Sequence, residues 1–312
     1  AAQVSWSSGD LVPLAQRVVL EFRPHTLVVL AGNNEWIRWS APGQPSMAPW
    51  ALSTLRALAE SRLVSAAMAV WLSFVGRHQD QLRRFGPGFH VDFELTGADY
   101  ALKHPAERYA PFDGSAWHET KKRFLDTFEA RLSEIVTFAR AHGVRVILMA
   151  VPFSYKLSPA WRHPQPESFI AQYRDEVRAA VARGAELVAR RDCEGALKVL
   201  RAAQAKDPEP PILSYLEATC LDELGRPLEA EAAYARSREN MIGNLGARLS
   251  INERIRRVAL RHGAELVDLP KIFDEFEHQR GRYFNEELIA DGCHPTPLGA
   301  ELIAKALRAR FR

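Results

Sequence analysis

The sequence predicts an α/β fold in which an all-helical insertion interrupts a doubly wound parallel sheet. Three runs of strand length are predominantly apolar, at residues 26–31, 144–151 and 264–269. Such runs are typical of parallel strands that helices cover on both faces of a sheet. Segments with helical spacing of apolar residues separate the runs, and this alternation favours a doubly wound domain.

The helices are predicted where apolar residues recur at intervals of three and four. The predicted segments are 11–22, 51–75, 117–142, 249–262 and 298–307, with a more polar helix at 273–281. Gly143 and Gly263 each follow one of these segments, as expected of helix ends. The aromatic-rich residues 76–114 have poor periodicity, and we interpret them as a lid or packing segment without assigned chemistry.

Residues 176–240 differ from the rest because they are rich in Ala, Glu, Arg and Leu and because they repeat. The repeated positions lie 34 residues apart and are Gly184 and Ala218, Leu187 and Leu221, Ala196 and Ala230, Leu200 and Tyr234, and Ala203 and Ser237. This period with small residues at fixed offsets is the tetratricopeptide pattern of stacked helix pairs. A plain antiparallel helix insertion is the alternative. We therefore expect an α/β domain formed by residues 1–175 and 241–312, interrupted by helices at 176–240.

Bulk composition excludes several classes of function. The chain has 312 residues and a formal net charge of +3, without a basic run that indicates nucleic-acid binding. Its three cysteines show no CxxC spacing, and its ten histidines form no HxH or HExxH pattern, so no metal is expected. No glycine-rich phosphate loop or dinucleotide motif indicates a cofactor. The longest apolar run, residues 63–75, is too short to span a bilayer.

A loop near the C-terminus, residues 291–299, carries the strongest chemical signal. Asp291 precedes His294 by three residues in this Gly- and Pro-rich loop, and a helix follows directly. An aspartate can accept a hydrogen bond from one protonated imidazole nitrogen and leave the other to deprotonate a nucleophile. A surface turn before a helix is the alternative. Cys293 adjoins His294, but we expect no Cys–His pair because sequence neighbours rarely lie within hydrogen-bonding reach.

A second candidate lies after the first strand, in Gly32-Asn33-Asn34. Loops at the carboxyl ends of parallel strands are where α/β sheets bind ligands. The Asn34 amide can donate hydrogen bonds without depending on a protonation state. The alternative is a turn residue that tolerates left-handed backbone geometry.

Together these motifs resemble the SGNH/GDSL hydrolases, specifically bacterial members with an inserted tetratricopeptide-like segment. The matching positions are Gly32, Asn34, Asp291, His294, Pro295 and Gly299. The resemblance implies a flavodoxin-like sheet and an esterase acting on small-molecule or carbohydrate esters. It implies that Asn34 donates to the oxyanion hole and that Asp291 and His294 form the acid–base pair of a serine triad.

Two departures from the family pattern affect this interpretation. The family's nucleophilic serine lies in a Gly-Asp-Ser block that ends the first strand, and residues 1–312 contain no such block. We expect that block and its central strand upstream of Ala1, so that residues 1–312 alone would not hydrolyse p-nitrophenyl acetate. Ser5 stands nearest to the glycine whose backbone N–H completes the family's oxyanion hole, and with Gly32 it is a candidate substrate-binding residue.

Two other functions remain open at this stage. A non-catalytic protein on the same fold could bind a protein partner through the helices at 176–240. An acyltransferase could use the same triad with a sugar as acceptor. The sequence upstream of Ala1 separates the enzymes from the partner-binding protein, because only the enzymes need the serine block. Neither the substrate nor the cellular compartment is predicted.

Overall fold

The computed structural model describes residues 8–35, 117–159, 168–241 and 248–311. These residues all belong to one compact unit. They form a mixed α/β structure that is mostly helical and contains a small parallel sheet. The helix expected at 51–75, the aromatic segment 76–114 and Ser5 lie outside the described residues.

The three apolar runs form the strands of the sheet, which confirms that prediction. Strand β1 spans Thr26–Leu30, β2 spans Arg145–Ala150 and β3 spans Glu265–Asp268. The strands lie in the order β1-β2-β3, and both neighbouring pairs are parallel. Their carboxyl ends therefore meet at one edge of the sheet, the edge at which α/β proteins bind ligands.

Nine α-helices occur in the described part of the chain. They are α1 (Ser8–Phe22), α2 (Trp117–Ala141), α3 (Arg174–Ala189), α4 (Cys193–Gln204), α5 (Pro211–Glu223), α6 (Pro227–Asn240), α7 (Leu249–His262), α8 (Leu269–His278) and α9 (Pro297–Arg308). A short 3₁₀ turn, Ala171–Tyr173, precedes α3. None of these helices combines the length and apolar character needed to cross a bilayer.

The predicted bounds of two helices were wrong. Helix α1 begins at Ser8 rather than at residue 11, and α8 spans Leu269–His278 rather than 273–281. In α8 the second residue is Pro270, whose fixed φ suits a first helical turn, so the helix starts directly after β3. The apolar periodicity used for the prediction does not register this early start, because the first turn contains a proline rather than a periodic residue.

Helices cover both faces of β2. Val146 and Leu148 join the main core with residues of α1, α2 and α7. Ile147 and Met149, on the opposite face, pack in a second cluster with residues of α8 and α9. Alternate burial on two faces follows from the period-two geometry of a strand, and it explains why the run reads as continuously apolar.

Helices α8 and α9, which cover the face of β2 that carries Ile147 and Met149, do not extend over β1. Val28 pairs in register with Ile147, and Leu30 pairs with Met149, so these side chains share that face. Val28 nevertheless keeps 36% of its surface exposed, and Leu30 keeps 48%. Within the described residues β1 is the edge strand of the sheet, with apolar side chains open to solvent.

The repeated residues lie where helices α3 to α6 contact one another. All ten repeated positions are buried. The paired helices approach closely, since a Cβ added at Gly184 would lie 2.6 Å from Cδ2 of Leu200. The turn within each pair also repeats, because Arg191 and Gly225 occupy equivalent positions and have φ values of 60° and 70°. The period therefore corresponds to a structural repeat of helix pairs.

Candidate active site

The loop between α8 and α9 forms a tight turn that presents Asp291 and His294. An antiparallel bridge pairs Ile289 with Pro295, and the N–H of Ala290 donates to the carbonyl of His294 at 2.8 Å. Ile289 is only 2% exposed and anchors the base of the turn in the core. The residues between the bridged positions therefore form a short, closed tip whose geometry is fixed at its base.

The start of α9 constrains the same turn. Thr296 caps the helix by accepting the N–H of Gly299 at 3.2 Å. A Cβ at Gly299 would collide with the carbonyl oxygen of Leu288. Glycine is thus required for the close approach of helix and loop, which accounts for its place in the motif.

Asp291 and His294 form a hydrogen-bonded pair. Nδ1 of His294 lies 2.7 Å from Oδ2 of Asp291. The other carboxylate oxygen, Oδ1, accepts the backbone N–H of Cys293 at 2.8 Å and that of His294 at 2.9 Å. Burial alone would raise the pKa of the Asp291 carboxyl, but these hydrogen bonds outweigh burial and hold the pKa below its usual value. The carboxylate is therefore ionised at neutral pH and fixed in orientation.

The side chain of Arg238, on α6, is hydrogen-bonded to the turn that carries Asp291 and His294. It is 1% exposed and donates to the carbonyl oxygens of Ser154, at 3.0 Å, and Gly292, at 2.7 Å. Its guanidinium also lies 5.1 Å from the ring centroid of Phe153. Burial lowers the pKa of Arg238 to about 10, so the group remains a cation at neutral pH. A buried cation thus joins the Asp291–His294 turn to the segment that follows β2.

Gly32 and Asn34 lie just after β1, at the carboxyl edge of the sheet. Gly32 has a φ of 132°, and a Cβ there would lie 2.7 Å from Cγ2 of Ile251 and 3.4 Å from Cγ2 of Val151. Asn34 is partly buried. The segment that contacts Gly32 through Val151 continues to Ser154, the acceptor of Arg238. Both predicted motifs therefore contact the segment that follows β2, Gly32 directly and the Asp291–His294 turn through Arg238.

The structure corrects the expectation for Cys293. Its Sγ lies 3.7 Å from Nδ1 of His294, within range of a sulfur hydrogen bond. Adjacent residues usually point apart, but the tight turn brings both side chains to one side. The thiol faces Nδ1, the nitrogen that Asp291 also contacts. It is therefore placed beside the pair rather than at the nitrogen that would serve a nucleophile.

A polar network beneath the turn was not predicted from the sequence. The side-chain amide of Asn285 donates to the carbonyl of Phe153 at 3.2 Å and to Asp274 at 3.1 Å. The hydroxyl of Tyr155 donates to the other oxygen of Asp274 at 3.1 Å. Phe284 and Asn285 both have positive φ, 72° and 60°. Of these two residues only Asn285 could have been recognised from the sequence, because asparagine is enriched in the left-handed backbone region.

Comparison with protein-family models, with curated proteins and with solved structures found no match. Ser5, the remaining predicted site residue, lies outside the described residues.

Proposed function

We propose that this protein is a serine ester hydrolase of the SGNH/GDSL type. The observation that carries the proposal is the 2.7 Å hydrogen bond between His294 Nδ1 and Asp291 Oδ2, on a turn that Arg238 joins to the segment following β2. An imidazole oriented by a carboxylate is the acid–base element of a serine triad. No metal or cofactor is part of the proposed reaction.

The ionised Asp291 carboxylate accepts a hydrogen bond from Nδ1–H and so selects the imidazole tautomer in which Nδ1 carries the proton. In that tautomer Nε2 of His294 carries the lone pair that removes the proton of an attacking hydroxyl. The same nitrogen then gives the proton to the departing alcohol. Two backbone N–H groups hold the carboxylate in place, so the pair needs little reorganisation during the reaction.

Asn34 and Gly32 supply the electrophilic side of the proposed site. The tetrahedral intermediate of ester cleavage carries a negative oxygen, and fixed N–H donors stabilise it. A neutral amide at position 34 would act as one such donor at every working pH. Gly32 allows the backbone to pass close to Ile251, which brings the Asn34 loop toward the core at the edge of the sheet.

The nucleophilic serine is proposed to lie upstream of residue 1, on a strand that pairs with β1. The exposed side chains of Val28 and Leu30 support a further strand and its helix at this edge, because parallel sheets are normally covered on both faces. The carboxyl end of such a strand would lie next to Gly32. With this strand the sheet would become flavodoxin-like, and the buried repeat in α3 to α6 supports a tetratricopeptide-like insertion.

The test compares residues 1–312 with the same residues preceded by their natural upstream sequence, using p-nitrophenyl acetate. We expect hydrolysis only by the longer protein, and a loss of at least about 10³-fold in kcat on His294→Ala. His142→Ala is the matched control, because His142 is exposed and takes no part in the turn.

Three outcomes would count against parts of this proposal. Hydrolysis by residues 1–312 alone that His294→Ala abolishes would place the nucleophile within the chain. Hydrolysis by the longer protein that survives His294→Ala would overturn the role of the dyad. A longer protein inactive on a panel of acetyl esters of alcohols and sugars would leave partner binding by the helices of residues 174–240 as the function.

A further inference from the structure

The turn that carries the acid–base pair also gathers three different metal-ligating groups. Ligand atoms of Asp291, Cys293 and His294 all lie within 4.8 Å of one another. Nδ1 of His294 is central, 2.7 Å from a carboxylate oxygen and 3.7 Å from the thiol sulfur. We propose that these three side chains bind a thiophilic divalent metal ion of the zinc class.

The distances suit a tetrahedral ion. Zinc bonds of about 2.3 Å to sulfur and about 2.1 Å to nitrogen or oxygen place neighbouring ligand atoms about 3.5 Å apart. The sulfur of Cys293 is already close to this distance from Nδ1 of His294, at 3.7 Å. The oxygen–nitrogen distance of 2.7 Å must widen by about 0.8 Å, as the ion replaces the shared proton. Small side-chain rotations within the turn achieve this.

The turn orients its ligands through contacts outside the site. Oδ1 of Asp291 is occupied by two backbone N–H groups, which leaves Oδ2 directed at the imidazole. The carbonyl of Gly292 is held by Arg238. Such outer contacts fix ligand geometry in protein metal sites. Asp291 and His294 are exposed, with 36% and 59% of their side chains accessible, so an ion can enter from solvent and keep a water as its fourth ligand.

Charge and ligand type select the class of ion. The Cys293 thiol gives up its proton when it binds a metal ion, because the thiolate is the ligand. The thiolate and the carboxylate together supply two negative charges, which balance the charge of a dication. The positive charge of Arg238 repels the ion and reduces this gain. A soft sulfur ligand selects zinc, cadmium or cobalt over magnesium and calcium.

Metal binding at this turn would have a consequence for the activity proposed above. The ion would take the place of the proton on Nδ1 and separate Asp291 from the imidazole, so the base would lose its orienting partner. Inhibition by zinc therefore rests on the proposed function. The binding itself does not, because it depends only on the three side chains, and its test uses no substrate.

Cobalt(II) is the probe, titrated into the reduced, metal-free protein of residues 1–312. We expect one ion per chain, with the d–d bands of a tetrahedral site and a thiolate-to-cobalt charge-transfer band that zinc abolishes. Cys293→Ser should remove the charge-transfer band and weaken zinc binding at least tenfold. Cys193→Ser, at another buried cysteine, is the matched control and should change neither.

A second measurement uses the unaltered protein and so does not depend on how a variant folds. Zinc should slow alkylation of Cys293 by iodoacetamide at least tenfold, as read by mass spectrometry of its peptide, and magnesium should not. Absence of the charge-transfer band together with unchanged alkylation would overturn the proposal. A band that persists in Cys293→Ser would also overturn it, because the metal would then be bound elsewhere.

Discussion

The guanidinium of Arg238 donates a hydrogen bond of 2.7 Å to the carbonyl oxygen of Gly292, the residue between Asp291 and Cys293. Arg238 lies on α6, the last helix of the repeated helical segment, and its second bond reaches Ser154 after β2. The helical segment thus contributes directly to the position of the acid–base turn. A change in the packing of α6 would be transmitted to the turn through this side chain.

Replacement of Arg238 should weaken both the fold and the proposed activity. Arg238→Ala leaves two buried carbonyl groups without their donor, and each such group costs about 1–3 kcal/mol. We expect a loss of about 2–5 kcal/mol in the free energy of unfolding, measured by urea denaturation. Arg17→Ala is the control, because Arg17 is 72% exposed and among the described residues pairs only with the exposed Glu21, and it should change stability by less than about 1 kcal/mol.

Arg238→Lys separates positioning from stability. Lysine keeps the charge but lacks the planar fork that serves two carbonyls at once. We expect kcat of the longer protein to fall while KM stays within twofold, because the turn moves without loss of substrate contacts. If Arg238→Lys folds normally and retains full kcat, the bond to Gly292 has no role in positioning the turn.

The acid–base pair could be predicted from the sequence, whereas its support could not. Asp291 and His294 are three residues apart in a loop that also contains Pro295 and Gly299, so the pair can be predicted from local spacing alone. Arg238 is 54 positions from its acceptor Gly292, and its neighbours on α6 give no indication that it is buried. An arginine in a helix is usually exposed, and only the tertiary fold shows otherwise.

Asn34 should contribute to turnover rather than to binding. If its amide donates to the oxyanion, Asn34→Ala lowers kcat of the longer protein by about 10²–10³-fold and leaves KM nearly unchanged. Asn34→Asp should be at least as harmful, because it replaces the donor with a negative charge. Asn33→Ala, the adjacent residue of the same type, is the control. An equal loss in both alanine variants would indicate a general effect on the loop and not an oxyanion donor.

Asp274 should make stability depend on pH in the weakly acidic range. Burial, together with the nearby charge of Glu231, raises the pKa of Asp274 to about 6, although hydrogen bonds from Asn285 and Tyr155 oppose the shift. The folded state therefore binds this proton more tightly than the unfolded state, whose pKa is near 3.8. Its contribution to stability is favourable at low pH and is lost as pH rises from about 4 to about 6.

Asp274→Asn tests the direction in which stability changes with pH. The amide can still accept from Asn285 and can donate to the hydroxyl oxygen of Tyr155, but it never ionises. The variant should gain up to about 3 kcal/mol over the parent at pH 8, and the gain should vanish near pH 4. Asp175→Asn, whose side chain is 93% exposed, is the control. A difference between parent and variant that is constant from pH 4 to pH 8 would contradict the raised pKa.

The helical repeat was also accessible from the sequence, for a physical reason. Small residues recur 34 positions apart because helices that pack closely exclude larger side chains at the crossing points. Gly184 and Ala196 are such positions, and both are buried. The start of α8 was harder to predict, because a proline such as Pro270 usually indicates a loop, whereas here it lies in the first turn of the helix.

Gly184→Ala should destabilise the protein although alanine is the better helix former. The added Cβ would lie 2.6 Å from Cδ2 and 3.1 Å from Cγ of Leu200, a side chain that is fully buried. Overpacking of this kind costs about 1–3 kcal/mol. It exceeds the gain of roughly 1 kcal/mol that alanine offers over glycine inside a helix. Urea denaturation should therefore show a lower free energy of unfolding.

A double-mutant cycle assigns the loss to the contact between the two helices. Leu200→Ala alone should cost about 2–5 kcal/mol, since it leaves a cavity. In that background Gly184→Ala should become neutral or stabilising, because its Cβ no longer meets a side chain, which gives a coupling of at least about 1 kcal/mol. Ala182→Gly, at an exposed position of the same helix, measures the propensity effect separately. If Gly184→Ala is instead stabilising by that same amount in the parent, α3 and α4 do not approach as closely as the structure has them.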